Sequence, residues 1–244
     1  ITYSFVSHEQ HFTRADIMSS LKPYDTSSEL YKQYTAEEYP HIIKTEKLKK
    51  LAHTIVGEEK NPVLQASMIY DWIATNFPWA GAREYSTIPN IPEYVVENRH
   101  GDCGQVALLY ITLVRCLGIP ARWESGFMLH PGAENYHDWA ETYFEGTGWV
   151  ATDPSFGRST TGESLADYYK TGIDLYRFVV NKGVNGSFDP KKNYIRSETV
   201  DNQAGEVEWK NGNLEYKDWT SDLHVDSCIK IDINRPEYSW ALTK

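Results

Sequence analysis

The feature that most constrains this chain is the run from His100 to Gly118, in which Cys103 opens a stretch that is apolar nearly all round. Gly101 or Asp102 can cap a helix whose first turn holds Cys103, and Val106, Leu109, Tyr110, Leu113, Val114 and Leu117 then recur at helical spacing. Ala107, Leu108, Ile111 and Cys116 lie between them, so the pattern predicts a buried central helix. Gly118 stops it and Pro120 prevents continuation. A cysteine at the open N-terminal end of a helix meets unpaired backbone N–H groups and the positive end of the helix dipole. Both favour thiolate over thiol, so a cysteine nucleophile is the first expectation.

The rest of the composition bounds that expectation. A chain of 244 residues can bury a sizeable core. A net charge of -10 argues against nucleic acid or an anionic membrane as the main partner, and no apolar run approaches the ~20 residues of a membrane span. The chain starts at Ile1, which reads as a processed or excised chain; with a secretory signal removed, a periplasmic or extracellular location is favoured. Cys103, Cys116 and Cys228 make neither a disulfide framework nor a metal-type pair, and neither require nor exclude an oxidising compartment. His100 with Cys103 lacks the second ligand pair of a zinc site, so no metal and no cofactor are expected. Cys116 reads as inert core and Cys228 as a bystander on a strand. The 17 Tyr and 8 Trp read mainly as large core residues, with an aromatic cleft for peptide or sugar as the alternative.

Along the chain, the alternating start Ile1–Val6 reads as an edge strand or arm leading into a wrapped extension. Helices follow from Thr45 to Gly57 and, capped by Asn61 with Pro62 at its first position, to about Phe77. Residues 78–99, punctuated by Pro78, Gly81, Pro89 and Pro92, read as a long functional loop carrying Trp79, Arg83, Tyr85 and Asn90. Strands are expected at Ala121–Leu129, His137–Phe144 and Trp149–Asp153, then a weak helix at Leu165–Tyr169 and a strand at Tyr176–Val180. Asn211-Gly212 predicts a two-residue hairpin loop pairing Trp209 with Leu214 and Val207 with Tyr216. Val225, Ser227, Ile229, Ile231 and Ile233 alternate as a last strand, with Asp226, Cys228 and Lys230 on its other face. The expected class is α+β, with the cysteine helix packed on an antiparallel sheet. The expected organisation is one domain over 1–244: an N-terminal extension 1–44, a core 45–157 and a β-rich extension 158–244.

An acyl-transfer thiol needs an imidazole partner, a group that orients it, and donors for the developing oxyanion. His137 begins a strand and Asp153 ends the next, so a hairpin would bring them together, with Asp153 fixing the imidazole tautomer toward Cys103. Asp102 reads as a cap rather than a second acid, and Glu141 as either a structural carboxylate or part of the cleft.

Gly101-Asp102-Cys103-Gly104, Leu117-Gly118-Ile119-Pro120-Ala121-Arg122, Gly126-Phe127, His137-Asp138-Trp139-Ala140-Glu141 and Gly148-Trp149-Val150-Ala151-Thr152-Asp153-Pro154 together resemble the transglutaminase-like superfamily core over about residues 62–157. The resemblance implies a papain-like fold with Cys103 as nucleophile, His137 as base and Asp153 as orienting acid. It also implies an oxyanion hole from the Cys103 N–H and a side chain of the preceding loop, Trp79 first and Tyr85 second; Gln105 and Trp139 complete the cleft candidates. The ends look like those of secreted bacterial members. The expected activity is hydrolysis of peptide or protein amides through a thioester. The alternatives are a protein-glutamine γ-glutamyltransferase and a non-catalytic peptide- or glycan-binding module. A glycanase is disfavoured by the missing cysteine pairs, and an animal-type enzyme by the missing length and calcium loop.

Overall fold

The computed structural model describes residues 2–81, 83–157, 161–184, 186–195, 205–214, 218–220 and 222–229. Its centre is α6 (Cys103–Cys116), buried on all sides from Gly104 to Arg115. The helix starts where it does because Asp102 and Gln105 form a capping box. The Gln105 N–H donates to Asp102 Oδ1 at 2.9 Å, and the Asp102 N–H to Gln105 Oε1 at 3.4 Å. Arg115 stays buried near the other end because its guanidinium donates to Ala121 O (2.8 Å), Ala36 O (2.9 Å) and Glu38 Oε2 (3.1 Å).

One face of an antiparallel sheet packs on α6. The sheet comprises β2 (Ala121–Met128), β3 (Asn135–Phe144), β4 (Gly148–Thr152) and β6 (Arg177–Lys182), in the order β4-β3-β2-β6. Tyr110 on α6 meets Thr142 on β3 (Oη to Oγ1, 2.8 Å). Because strand side chains alternate, Asp138, Ala140 and Thr142 share that face, while His137, Trp139 and Glu141 share the other. Trp139 there joins Ala151 and Ile173 in a second, smaller core. Around α6 stand α3 (Glu46–Val56), α4 (Pro62–Asn76) and α5 (Ile91–Asn98). The β4 edge of the sheet is flanked by α7 (Glu163–Lys170) and by β5 (Gly172–Ile173), which pairs with β1 (Gln10–His11). The fold is thus α+β with the cysteine helix on an antiparallel sheet, as its periodicities predict.

Several local expectations are corrected. Residues 78–99 are not one loop: they hold a 3-10 turn (Tyr85–Thr87) and α5. Pro92 sits in the first turn of α5, where its missing N–H costs nothing, and the Asn90 side chain caps Glu93 N–H. The start of the chain is not a strand; Tyr3 and Phe5 instead lay their rings on Phe178 of β6, and α1 (Arg14–Ser20) and α2 (Glu29–Thr35) follow. The strand expected at Tyr176–Val180 begins at Arg177 and runs to Lys182. In the hairpin β7 (Val207–Trp209) and β8 (Gly212–Leu214), Trp209 pairs with Gly212 and Val207 with Leu214. Lys210 and Asn211 form the turn instead of Asn211 and Gly212, and Asn211 does not have the positive φ that the type I′ turn favoured by Asn-Gly needs at both centres. Val225–Ile229 forms no strand, and Ile229 is 71% exposed. Tyr216, Lys230, Ile231 and Ile233 lie outside the described residues.

Gly126 lets β6 close onto β2. The register shifts between Ser125 and Gly126, and a Cβ at Gly126 would stand 1.9 Å from Phe178 O. Gly126→Ala should lower the urea midpoint by an amount equivalent to ~1–3 kcal/mol, the cost of overpacking; an unchanged midpoint would show that β6 is free to give way.

Candidate active site

The thiol end of the site is built by the helix start. Asp102 caps it, and Asp102 Oδ1 also accepts the Tyr85 hydroxyl at 2.5 Å. Cys103 is the first helical residue and half-buried, and its Sγ donates to Asp138 Oδ2 at 3.4 Å. This crowding requires Gly104: a Cβ there would lie 2.3 Å from Tyr85 Oη, 2.7 Å from Asp138 Oδ2 and 2.8 Å from Trp123 Cη2. Burial, with Asp102, Asp138 and Cys103 nearby, holds the Tyr85 hydroxyl well above its usual range. Burial likewise raises the Asp102 carboxyl, against the hydrogen bond from Tyr85.

The imidazole end is built by the hairpin. β4 stops with Thr152 opposite Ala140, so positions 137–139 of β3 have no β4 partner and the chain turns at Asp153 into the space beside them. His137 Nε2 meets Asp153 Oδ2 at 2.7 Å, both side chains being buried. Asp153 Oδ1 accepts the Ser155 N–H at 3.1 Å. Arg177 Nη2 lies 3.3 Å from Asp153 Oδ2, the oxygen that meets His137. Burial alone would push the Asp153 carboxyl up, but His137 and then Arg177 more than reverse this, leaving it below the usual carboxylate range. Phe156 stands edge-on to the His137 ring at 5.5 Å, and Trp139 stacks on it at 6.0 Å.

The structure therefore joins His137 to Asp153 and sets Cys103 against Asp138, the strand position next to His137. Its other sequence candidates divide. Tyr85 is in the site. Gln105 is buried and its side chain closes the capping box. Trp139 is buried with its indole N–H donated to Glu124 Oε2 at 2.8 Å. Trp79 is 59% exposed beside Gly101, with which its backbone forms a parallel bridge. Glu141 binds Arg122 Nε at 2.5 Å on the far face of the sheet. Cys116 is half-buried with its thiol raised to about 11 by burial, and Cys228 is exposed. Among the described residues, no group of three or more His, Cys, Asp and Glu is arranged to hold a metal ion, and no helix is long and apolar enough to cross a membrane.

Sequence reasoning missed Asp138, Phe156 and Arg177. Asp138 was legible as the acid beside His137; Arg177 carried no local signal, because its role depends on β6 adding to the far edge of β2.

Residues 49–154 match the sequence model of the Transglutaminase-like superfamily. The YebA protein of Bacillus subtilis (strain 168) is 25% identical over 149 residues, which are 53% of this chain and 20% of YebA. A candidate cysteine protease from Cytophaga hutchinsonii is 27% identical with a TM-score of 0.46, over 56% of this chain and 45% of that one. The periplasmic domain of TgpA from Pseudomonas aeruginosa is 18% identical with a TM-score of 0.44, over 57% and 53%. The chain thus spans a fifth of the curated relative it matches, and about half of each of these two structures.

Two outcomes follow from this geometry. Gly104→Ala should displace Tyr85 and Asp138 and slow alkylation of Cys103 at least several-fold relative to Cys228; an unchanged ratio would mean that the cluster does not set the thiol's surroundings. The Glu124 carboxyl is raised by burial, then by Glu141, against Lys182. Its folded form holds the proton longer than the unfolded chain does, so its contribution to stability falls as pH rises above the ordinary carboxylate range. Glu124→Gln, which still accepts from Trp139, should flatten that slope in urea titrations run at successive pH values.

Proposed function

We propose, because residues 49–154 match the sequence model of the Transglutaminase-like superfamily, that the chain is a member of it and a cysteine acyl-transfer enzyme that hydrolyses amide bonds of peptides or proteins through a thioester on Cys103. The observation that carries this reading is the 2.7 Å contact of buried His137 Nε2 with Asp153 Oδ2, one strand position from the acid that accepts the Cys103 thiol. With Nε2 oriented by Asp153, Nδ1 is the nitrogen that exchanges protons during the reaction.

His137 takes the thiol proton and the sulfur attacks the amide carbonyl. As the tetrahedral adduct collapses, the C–N bond breaks and the leaving amine takes the proton from His137. Water, deprotonated by His137, then attacks the thioester; the carboxylic acid leaves and the thiol is restored. The Cys103 N–H and the Trp79 indole N–H are the donors we assign to the oxyanion. Trp79 is favoured over Tyr85 because the Tyr85 hydroxyl already donates to Asp102. We place the reaction in the periplasm or outside the cell, on the resemblance of the N-terminal extension and of the tail beyond about residue 160 to those of secreted bacterial members.

The test is alkylation of the protein with iodoacetamide, read cysteine by cysteine, alongside cleavage of a peptide library with no amine added. Cys103 should react faster than Cys228, with a rate that falls below pH ~6. His137→Ala should slow turnover by ~10²–10⁴-fold. Equal labelling of Cys103 and Cys228 would sink the enzyme reading. Ammonia released from a glutamine peptide only when an amine is present would replace hydrolysis by transfer. A Cys103→Ala protein with full biological effect would identify a binding module instead.

A further inference from the structure

We propose that Arg177 is a positioning residue of this site, which sets how strongly Asp153 holds a proton on His137 by sharing the same carboxylate oxygen. The inference rests on the catalytic reading of Cys103, His137 and Asp153. Asp153 Oδ2 takes His137 Nε2 at 2.7 Å and Arg177 Nη2 at 3.3 Å. Arg177 comes from β6, beyond the stretch that matches the superfamily. It is clamped a second time by Asp174, which accepts Nε at 3.1 Å and Nη2 at 3.0 Å. Its guanidinium also lies over the rings of Phe156 (5.1 Å), Trp139 (5.6 Å) and Tyr169 (5.8 Å). Two acids and three rings around one buried cation fix its position more tightly than a single ion pair would.

The charges facing this cluster come from every element packed on it. On Asp153 bear His137 from β3, Arg177 from β6, and the hydroxyls of Tyr70 from α4 and Tyr169 from α7. On Asp174 bear Arg177, Tyr168, Tyr169, and His130 Nε2 at 3.1 Å. Asp102 faces His137 from the helix end. Within this set Arg177 is the permanent cation against Asp153. It withdraws part of that carboxylate's charge from the imidazolium, while Asp174 withdraws part of Arg177's charge from Asp153. Removing Arg177 and removing the charge of Asp174 should therefore act in opposite directions.

The experiment follows the His137 ring by NMR in protein carrying ¹³C-labelled histidine, assigned with the His137→Gln variant, as pH is varied. Arg177→Met should move the His137 titration midpoint up by about one pH unit, the scale of one nearby charge. Arg177→Lys, which keeps the charge, should restore it toward the wild-type position, and Asp174→Asn should move it down. A midpoint unmoved by Arg177→Met, or raised by Asp174→Asn, would overturn the proposal and leave Arg177 a structural residue. Where Arg177→Met does not fold, the direction of the Asp174→Asn shift decides. Wild-type Cys103 labelling no faster than Cys228 is failure of the catalytic reading; an unmoved midpoint with that selectivity retained is failure of the present one.

Discussion

Asp153 has no exposure to solvent, and a carboxylate in that position stands only if cations and donors replace the water it has lost. Desolvation costs several kcal/mol per ion, and leaving one partner of a buried pair alone costs about 3–5 kcal/mol. His137, Arg177 and the Ser155 N–H meet that requirement together, each from a different part of the chain. The constraint reaches outward: β4 must end at Thr152 so that Asp153 can turn in beside β3, and β6 must close on β2 to deliver Arg177. Gly126, whose missing Cβ leaves room for Phe178 O, is what permits that closure. The arrangement of the sheet edge and the geometry of the imidazole are thus one problem.

How much of this is legible in the sequence follows from how local each contact is. The capping box and the Asn61–Pro62 helix start lie within a few residues, and each has a signature of its own. The His137–Asp153 pair spans one hairpin, so two strand periods and a turn were enough to bring it together. Arg177 sits in a strand whose pattern says nothing of its partner, since β6 pairs with β2 across β3, β4, the helix α7 and the short strand β5. The helix α5 was hidden for a different reason: proline reads as a breaker unless its position in the first turn is recognised. The hairpin at Lys210–Asn211 turned on the sign of one φ angle, which Asn-Gly suggests and the fold did not adopt. In each case the missed feature depends on a non-local neighbour or on a backbone choice that residue type alone does not decide.

The helix start, from which the expectation of a reactive thiol began, takes on a different meaning in the fold. An isolated N-terminus presents about half a positive charge to whatever stands there. Here that end already serves one acid, Asp102, which takes the Gln105 N–H, and a second acid, Asp138, takes the thiol hydrogen. A thiolate would be a third anion within a cluster that Tyr85 and Gly104 hold close together. The dipole alone is therefore a weak source of activation, and an ionised Cys103 needs an imidazolium near at hand. That shifts the burden of activation from the helix to the sheet. On the proposed reading, the surroundings of Asp153, which holds the imidazole of His137 in place, then matter to the reactivity of Cys103 as much as the helix start does.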